Sequence, residues 1–137
     1  MGASGLEAVM RDVDREIHVL EDGLREGKLT LAPTVDSALR LVNRLMLAFA
    51  RAADRAIPGL GEDSDPLEVF KAFVKGDPSL NAVRDNVREL VYYRNCLDAL
   101  REDALPAHPV AMAVRTVRHT YLYMRTRAIK EYGLQEK

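Results

Sequence analysis

The stretch Leu6-Glu7-Ala8-Val9-Met10-Arg11-Asp12-Val13-Asp14-Arg15-Glu16-Ile17-His18-Val19-Leu20-Glu21-Asp22-Gly23-Leu24 decides the fold. Its residues Leu6, Met10, Val13, Ile17, Leu20 and Leu24 recur at spacings of 4, 3, 4, 3 and 4. A helix with about 3.6 residues per turn puts such residues on one side. The stretch therefore predicts a helix of about six turns, with a continuous apolar seam suited to packing against another long helix. Gly23 weakens it late, and Gly27 is a natural C-terminal stop.

The same periodicity continues outward. A second helix is predicted from Thr30 or Thr34, either of which can cap it, to Ile57. Its stripe is Val35, Leu39, Val42, Met46, Phe49, Ala53 and Ile57, and Pro58-Gly59 ends it. Pro33 fits only in the first turn. The loop from Pro58 to Asp65 is the one stretch without order, and it is too short to divide two domains. Asp65-Pro66-Leu67-Glu68 then reads as an N-cap, a proline at the first helical position and an acid in the first turn. This short helix carries Leu67, Phe70, Phe73 and Val74 and stops at Gly76. Asp77-Pro78 repeats the start signal for a long helix reaching about Asp103, with the stripe Leu80, Val83, Val87, Leu90, Val91 and Leu97. Pro106 and Pro109 break the chain, and a last helix runs from about Val110 to Tyr132, closed by Gly133. No alternating strand pattern, internal repeat or low-complexity segment is present. Residues 1–137 thus read as a single all-α domain, an antiparallel up-and-down bundle of four long helices plus one short helix.

Composition narrows the function. The 20 Lys and Arg nearly balance 21 Asp and Glu, and 47% of the residues are hydrophobic, which excludes a disordered chain, a strongly basic nucleic-acid coat and an acidic tail protein. The single cysteine, Cys96, excludes an internal disulfide framework and a Cys-based zinc site, and it reads as a small buried residue. No apolar run approaches the roughly 20 residues that span a bilayer. The charged start, with Glu7, Arg11 and Asp12, argues against a signal peptide, and Leu6 stands where a myristoylation motif after Met1-Gly2 needs Ser or Thr. A soluble, cytoplasmic domain with no membrane partner is expected. No cofactor and no metal is expected either. Asp14, His18 and Glu21 share a stripe but have no Glu-x-x-His partner. The loop after Gly59 lacks the glutamate of an EF-hand, with Val74 at that position.

Two anomalies mark candidate sites. Continuing the fourth-helix stripe from Leu90 by four gives Arg94, an arginine on a face that should be buried. It either snorkels or pairs with an acid of the first helix such as Asp14 or Glu21, or it is an anion-binding or catalytic arginine, the anion then being one held in a pocket at the bundle centre. Asn95, Tyr92 and Tyr93 surround it in sequence. The last helix is the second anomaly. Val110, Val114, Val117, Tyr121, Met124 and Ala128 form its apolar face, with His119 opposite, Arg115 a turn before and Tyr123 a turn after. Met112, Leu122 and Ile129 lie off that face, so the helix is expected between its own bundle and another surface, a second copy of the chain being the simplest. Between Ala113 and Lys130 stand Arg115, Arg118, Arg125, Arg127 and Lys130 with no acid, whereas the first 29 residues hold seven acids against four bases. Either these helices neutralise one another, or the basic helix meets RNA or another acidic partner with tyrosines available for stacking.

Arg94-Asn95 and the segment Arg115-Thr116-Val117-Arg118-His119-Thr120-Tyr121 give the chain a resemblance to the HEPN domains. These are small helical bundles that often dimerise and include ribonucleases, with four to six residues between an Arg, often Arg-Asn, and a following His. Here Ala99 and Leu100 occupy the histidine window after Arg94, and Arg115 to His119 is one residue short. The resemblance implies a degenerate, non-cleaving member. The resulting expectation is a homodimeric interaction or scaffold module without catalytic residues, using the last helix around Arg115, Arg118, His119, Tyr123 and Arg127. The alternative is a HEPN-like RNA-binding protein or ribonuclease using Arg94, Arg115, His119 and Tyr121.

Overall fold

The computed structural model describes residues 2–55, 57 and 59–134, and among them there is no strand. Five α-helices follow in order: α1 (Gly2–Arg25), α2 (Leu31–Ala52), α3 (Pro66–Lys75), α4 (Arg84–Asp98) and α5 (Pro109–Tyr132). Two short 3₁₀ segments, Pro78–Val83 and Glu102–Ala104, flank α4. The all-α bundle expected from periodicity is the fold found. No helix of the described residues is long and apolar enough to cross a membrane.

The seam of α1 is buried over Leu6, Met10, Val13 and Ile17, whereas Leu20 and Leu24 at its end are only half-buried. Gly27 closes the helix in the left-handed region at φ 68°, where Lys28 N–H donates to the Gly23 carbonyl (2.9 Å) and Gly27 N–H to that of Leu24 (3.1 Å). Gly133 closes α5 likewise at φ 67°. The start of α3 is also as expected, with Asp65 Oδ1 accepting from Leu67 N–H at 3.0 Å. Its buried face is Pro66, Val69, Phe70 and Phe73, so Val69 takes the place expected for Leu67, which is exposed.

Three boundaries differ from expectation. Helix α2 stops at Ala52, short of Ile57, because Asp54 turns left-handed at φ 58° and Arg55 N–H caps the Ala50 carbonyl at 2.9 Å. Ala53 is therefore exposed, and Pro58 lies outside the described residues. Helix α4 stops at Asp98, where Leu100 takes φ 57° and Arg101 N–H reaches the Cys96 carbonyl at 2.7 Å. At its other end the cap is Asp77, accepting from Ser79 N–H, but the first turns are 3₁₀. Leu80 and Val83, three residues apart, fall on one row of a helix with about three residues per turn, and both are buried.

Helix α2 is the axis of the molecule, touching α1, α3, α4 and α5, while α5 also packs on α1 and α4. This position explains why α2 is buried well beyond one stripe, including Leu41, Asn43, Leu45, Leu47 and Ala48. The core closes on the aromatic edges of Phe49 against Phe73 (centroids 6.3 Å) and Tyr132 (5.6 Å). Between α4 and α5, Glu89 accepts from the hydroxyls of Tyr93 and Thr116, and Asn86 Nδ2 donates to Thr120 Oγ1 at 3.1 Å. Burial, and then the bond to Glu89, pushes the Tyr93 hydroxyl well above its ordinary pKa.

Candidate functional site

Arg94 does fall on an inward face, yet it pairs with neither Asp14 nor Glu21, and the pocket it lines is not at the bundle centre. Half-buried on α4, it faces a lateral cavity of 250 Å³ between α4, α2 and the loop before α3. Helix α2 contributes Asp36, Leu39, Arg40 and Asn43, spaced so that all four share one face, and the loop contributes Glu62, Asp63 and Ser64. Among the described residues Arg94 has no hydrogen-bond or ion-pair partner. Arg40 is engaged with Asp63 at 3.4 Å, and the Glu62 carboxylate faces Arg44 at 3.7 Å.

The loop expected to lack order is tied down by two consecutive residues of α2. Asn43 Nδ2 donates to the carbonyls of Glu62 (3.0 Å) and Ser64 (2.9 Å). Arg44 meets the Glu62 side chain and also Glu16 of α1 at 2.6 Å. Gly61 N–H, donating to Ser64 Oγ at 2.8 Å, tightens the turn. Asn43 is only 1% exposed, and its Oδ1 is a buried side-chain atom with no partner among the described residues. Sequence reasoning missed Asn43. The signal was its place four residues after Leu39 inside the run Leu41-Val42-Asn43-Arg44-Leu45-Met46-Leu47, apolar but for Arg44 beside it.

The other candidates are distributed elsewhere. Arg118, with a side chain only 16% exposed, donates to Glu21 (3.0 and 2.9 Å) and Asp14 (2.7 Å) and lies 5.3 Å over the Tyr121 ring. His18 stands within 3.5 Å of both acids, so the Asp14–His18–Glu21 stripe is an arginine-paired network. The Arg118 guanidinium holds the Glu21 carboxyl below its ordinary pKa. Tyr121 is buried, and burial raises its hydroxyl. Arg127 donates to Asp77 (2.9 Å), Tyr123 Oη (2.9 Å) and Glu131. Burial opposes its charge, and those hydrogen bonds outweigh it. Tyr123 Oη donates in turn to the Ser79 carbonyl at 3.4 Å.

Arg118 and Arg127 are thus structural cations that join α5 to α1 and to the Asp77 turn. Arg115 and His119 are exposed on the outer face of α5. Of the three apolar residues expected to face a second surface, Met112 and Ile129 pack on the chain's own core and only Leu122 is exposed, at 49%. Arg94, Arg115, His119 and Tyr121 do not converge within the chain, since only Arg94 lines the cavity. No family model matches the chain, and neither a curated protein nor a solved structure does.

Proposed function

We propose that the protein is a non-catalytic binding module whose lateral cavity takes a small anionic ligand, with Arg94 as the anchor. The observation that carries this reading is a half-buried arginine without a partner among the described residues, beside a cavity large enough for a small molecule. Desolvating an arginine costs several kcal/mol unless acceptors replace its water, and a planar carboxylate matches its fork. The test is thermal unfolding in the presence of small carboxylates and inorganic phosphate. A ligand at ten times its Kd raises Tm by about 5 °C. Arg94→Met abolishes that shift while the unliganded Tm moves little, and a shift that survives in Arg94→Met refutes the reading.

A second reading concerns the outer face of α5. Arg115, His119, Leu122 and Thr126 follow at spacings of 4, 3 and 4, so they form one exposed stripe with Leu122 as its apolar centre. That half-exposed leucine favours a homodimer through α5. Sedimentation equilibrium of the wild-type chain and Leu122→Asp checks it: the proposal expects a dimer that the variant loses at unchanged helicity, and a monomeric wild type rejects it.

A further inference from the structure

We infer that the turn formed by residues 61–64 is a gate: it swings off the outer face of α2, and an anion held by Arg94 closes it. The closing rests on the reading of Arg94 as an anion anchor, whereas the opening does not depend on it. Asp36, Arg40, Asn43, Leu47 and Arg51 follow along α2 at spacings of 4, 3, 4 and 4 and so form one outward stripe. Asp36, Arg40 and Arg51 are exposed, while Asn43 and Leu47 between them are buried. The stripe is covered where residues 61–64 cross it, and the crossing is undercut on both sides. Glu62 lines the 250 Å³ cavity of Arg94 and also a second cavity of 190 Å³, bounded by Val9 of α1 and by Arg44, Leu47, Arg51 and Gly61.

The turn holds itself together and is held to the helix weakly. Gly61 N–H donates to Ser64 Oγ (2.8 Å) and Ser64 N–H to the Gly61 carbonyl (3.1 Å), so it moves as a unit. Its ends are fixed, by Leu60 packed on the core and by Asp65 capping α3. Between them the ion pairs Asp63–Arg40 and Glu62–Arg44 lie at the surface and contribute little. The remaining tie is the Asn43 amide. Nδ2 gains the carbonyls of Glu62 and Ser64, while Oδ1 is shut away from water without a donor. Two neutral hydrogen bonds gained against one buried acceptor stranded leave the closed turn close to balance with an open one, in which water serves all of these groups. An anion tips that balance. Arg94 on α4 and Ser64 on the turn line the same cavity, and no described acceptor takes the Ser64 hydroxyl proton. A carboxylate or phosphate that accepts from both is bound by the closed state alone and stabilises it.

The experiment follows hydrogen exchange of the Asn43 side-chain NH2 in the full chain by ¹H–¹⁵N NMR, with acetate and inorganic phosphate as probes. The turn covers this group, whereas the Asn43 backbone N–H lies inside α2. After correction for intrinsic rates, the side chain should exchange by a local opening, far faster than that backbone N–H and at a rate that low urea leaves unchanged. A probe at ten times its Kd should slow it about tenfold in the wild type and not in Arg94→Met. Glu62→Ala, at an exposed position, should speed it and leave protection of the α2 backbone as it is. A side chain that exchanges only together with the α2 backbone overturns the gate and leaves the Arg94 anchor standing. Local exchange that a bound anion does not slow also overturns it, since the turn then opens without reference to the cavity. If neither probe binds, as thermal unfolding reports, the anchor and the gate fall together.

Discussion

Arg118 reaches two carboxylates, Asp14 and Glu21, that lie seven residues apart on α1, and it replaces their water with a half-buried guanidinium. With the two acids still partly open to water, the three charged hydrogen bonds together contribute roughly 1–3 kcal/mol. Arg118→Met should therefore destabilise the chain by about 1–3 kcal/mol at neutral pH, because it leaves two acids facing an apolar side chain. The effect should depend on pH with a definite sign. Glu21 titrates below its ordinary value of 4.5 in the folded protein. Its contribution is complete above that value and disappears as pH falls through the lowered one. Urea unfolding across a pH series should show the gap between wild type and variant constant down to about pH 5 and shrinking below it. A gap unchanged at the acid end would mean that Arg118 stabilises by packing alone.

At the level of the elements, helix ends separate what residue types announce from what only the folded chain decides. Leu100 holds a left-handed conformation, which costs a side-chain-bearing residue roughly 1–2 kcal/mol, while the side chain itself is 84% exposed. Leu100→Gly removes that strain but gives the unfolded chain more freedom. The variant should be more stable by about 0.5–1 kcal/mol, read as a higher urea midpoint at unchanged slope. Starts and glycine stops were legible because Asp65-Pro66, Asp77-Pro78, Gly27 and Gly133 have a local preference for the geometry they adopt. The ends at Asp54 and Leu100 were not, since leucine disfavours that geometry, aspartate adopts it only occasionally, and apolar periodicity continues past both. Arg94 could be seen as a break in a stripe. Asn43 left only its place within an apolar run as a signal, because its burial follows from α2 being enclosed by four other helices, and a pattern along one chain segment describes only one face.

For the molecule as a whole, the charge contrast between the two ends of the sequence resolves into contacts. Arg118 meets α1, and Arg127 meets Asp77 and Glu131, so two of the bases that suggested an acidic partner are neutralised within the chain. Every other α-helix touches α2, so none can leave without uncovering the axis. Unfolding should consequently be a single transition, with far-UV and near-UV circular dichroism midpoints coinciding within error. Separate midpoints would show that one part of the chain melts alone. The pairing of α1 with α5 also sets a schedule during synthesis. Asp14 and Arg118 are 104 residues apart. At about 5–20 residues per second, α1 leaves the ribosome several seconds or more before its arginine does. Through that interval only α2 can shelter the seam from Leu6 to Ile17, and the nascent chain presents an apolar helix to whatever chaperone stands at the exit.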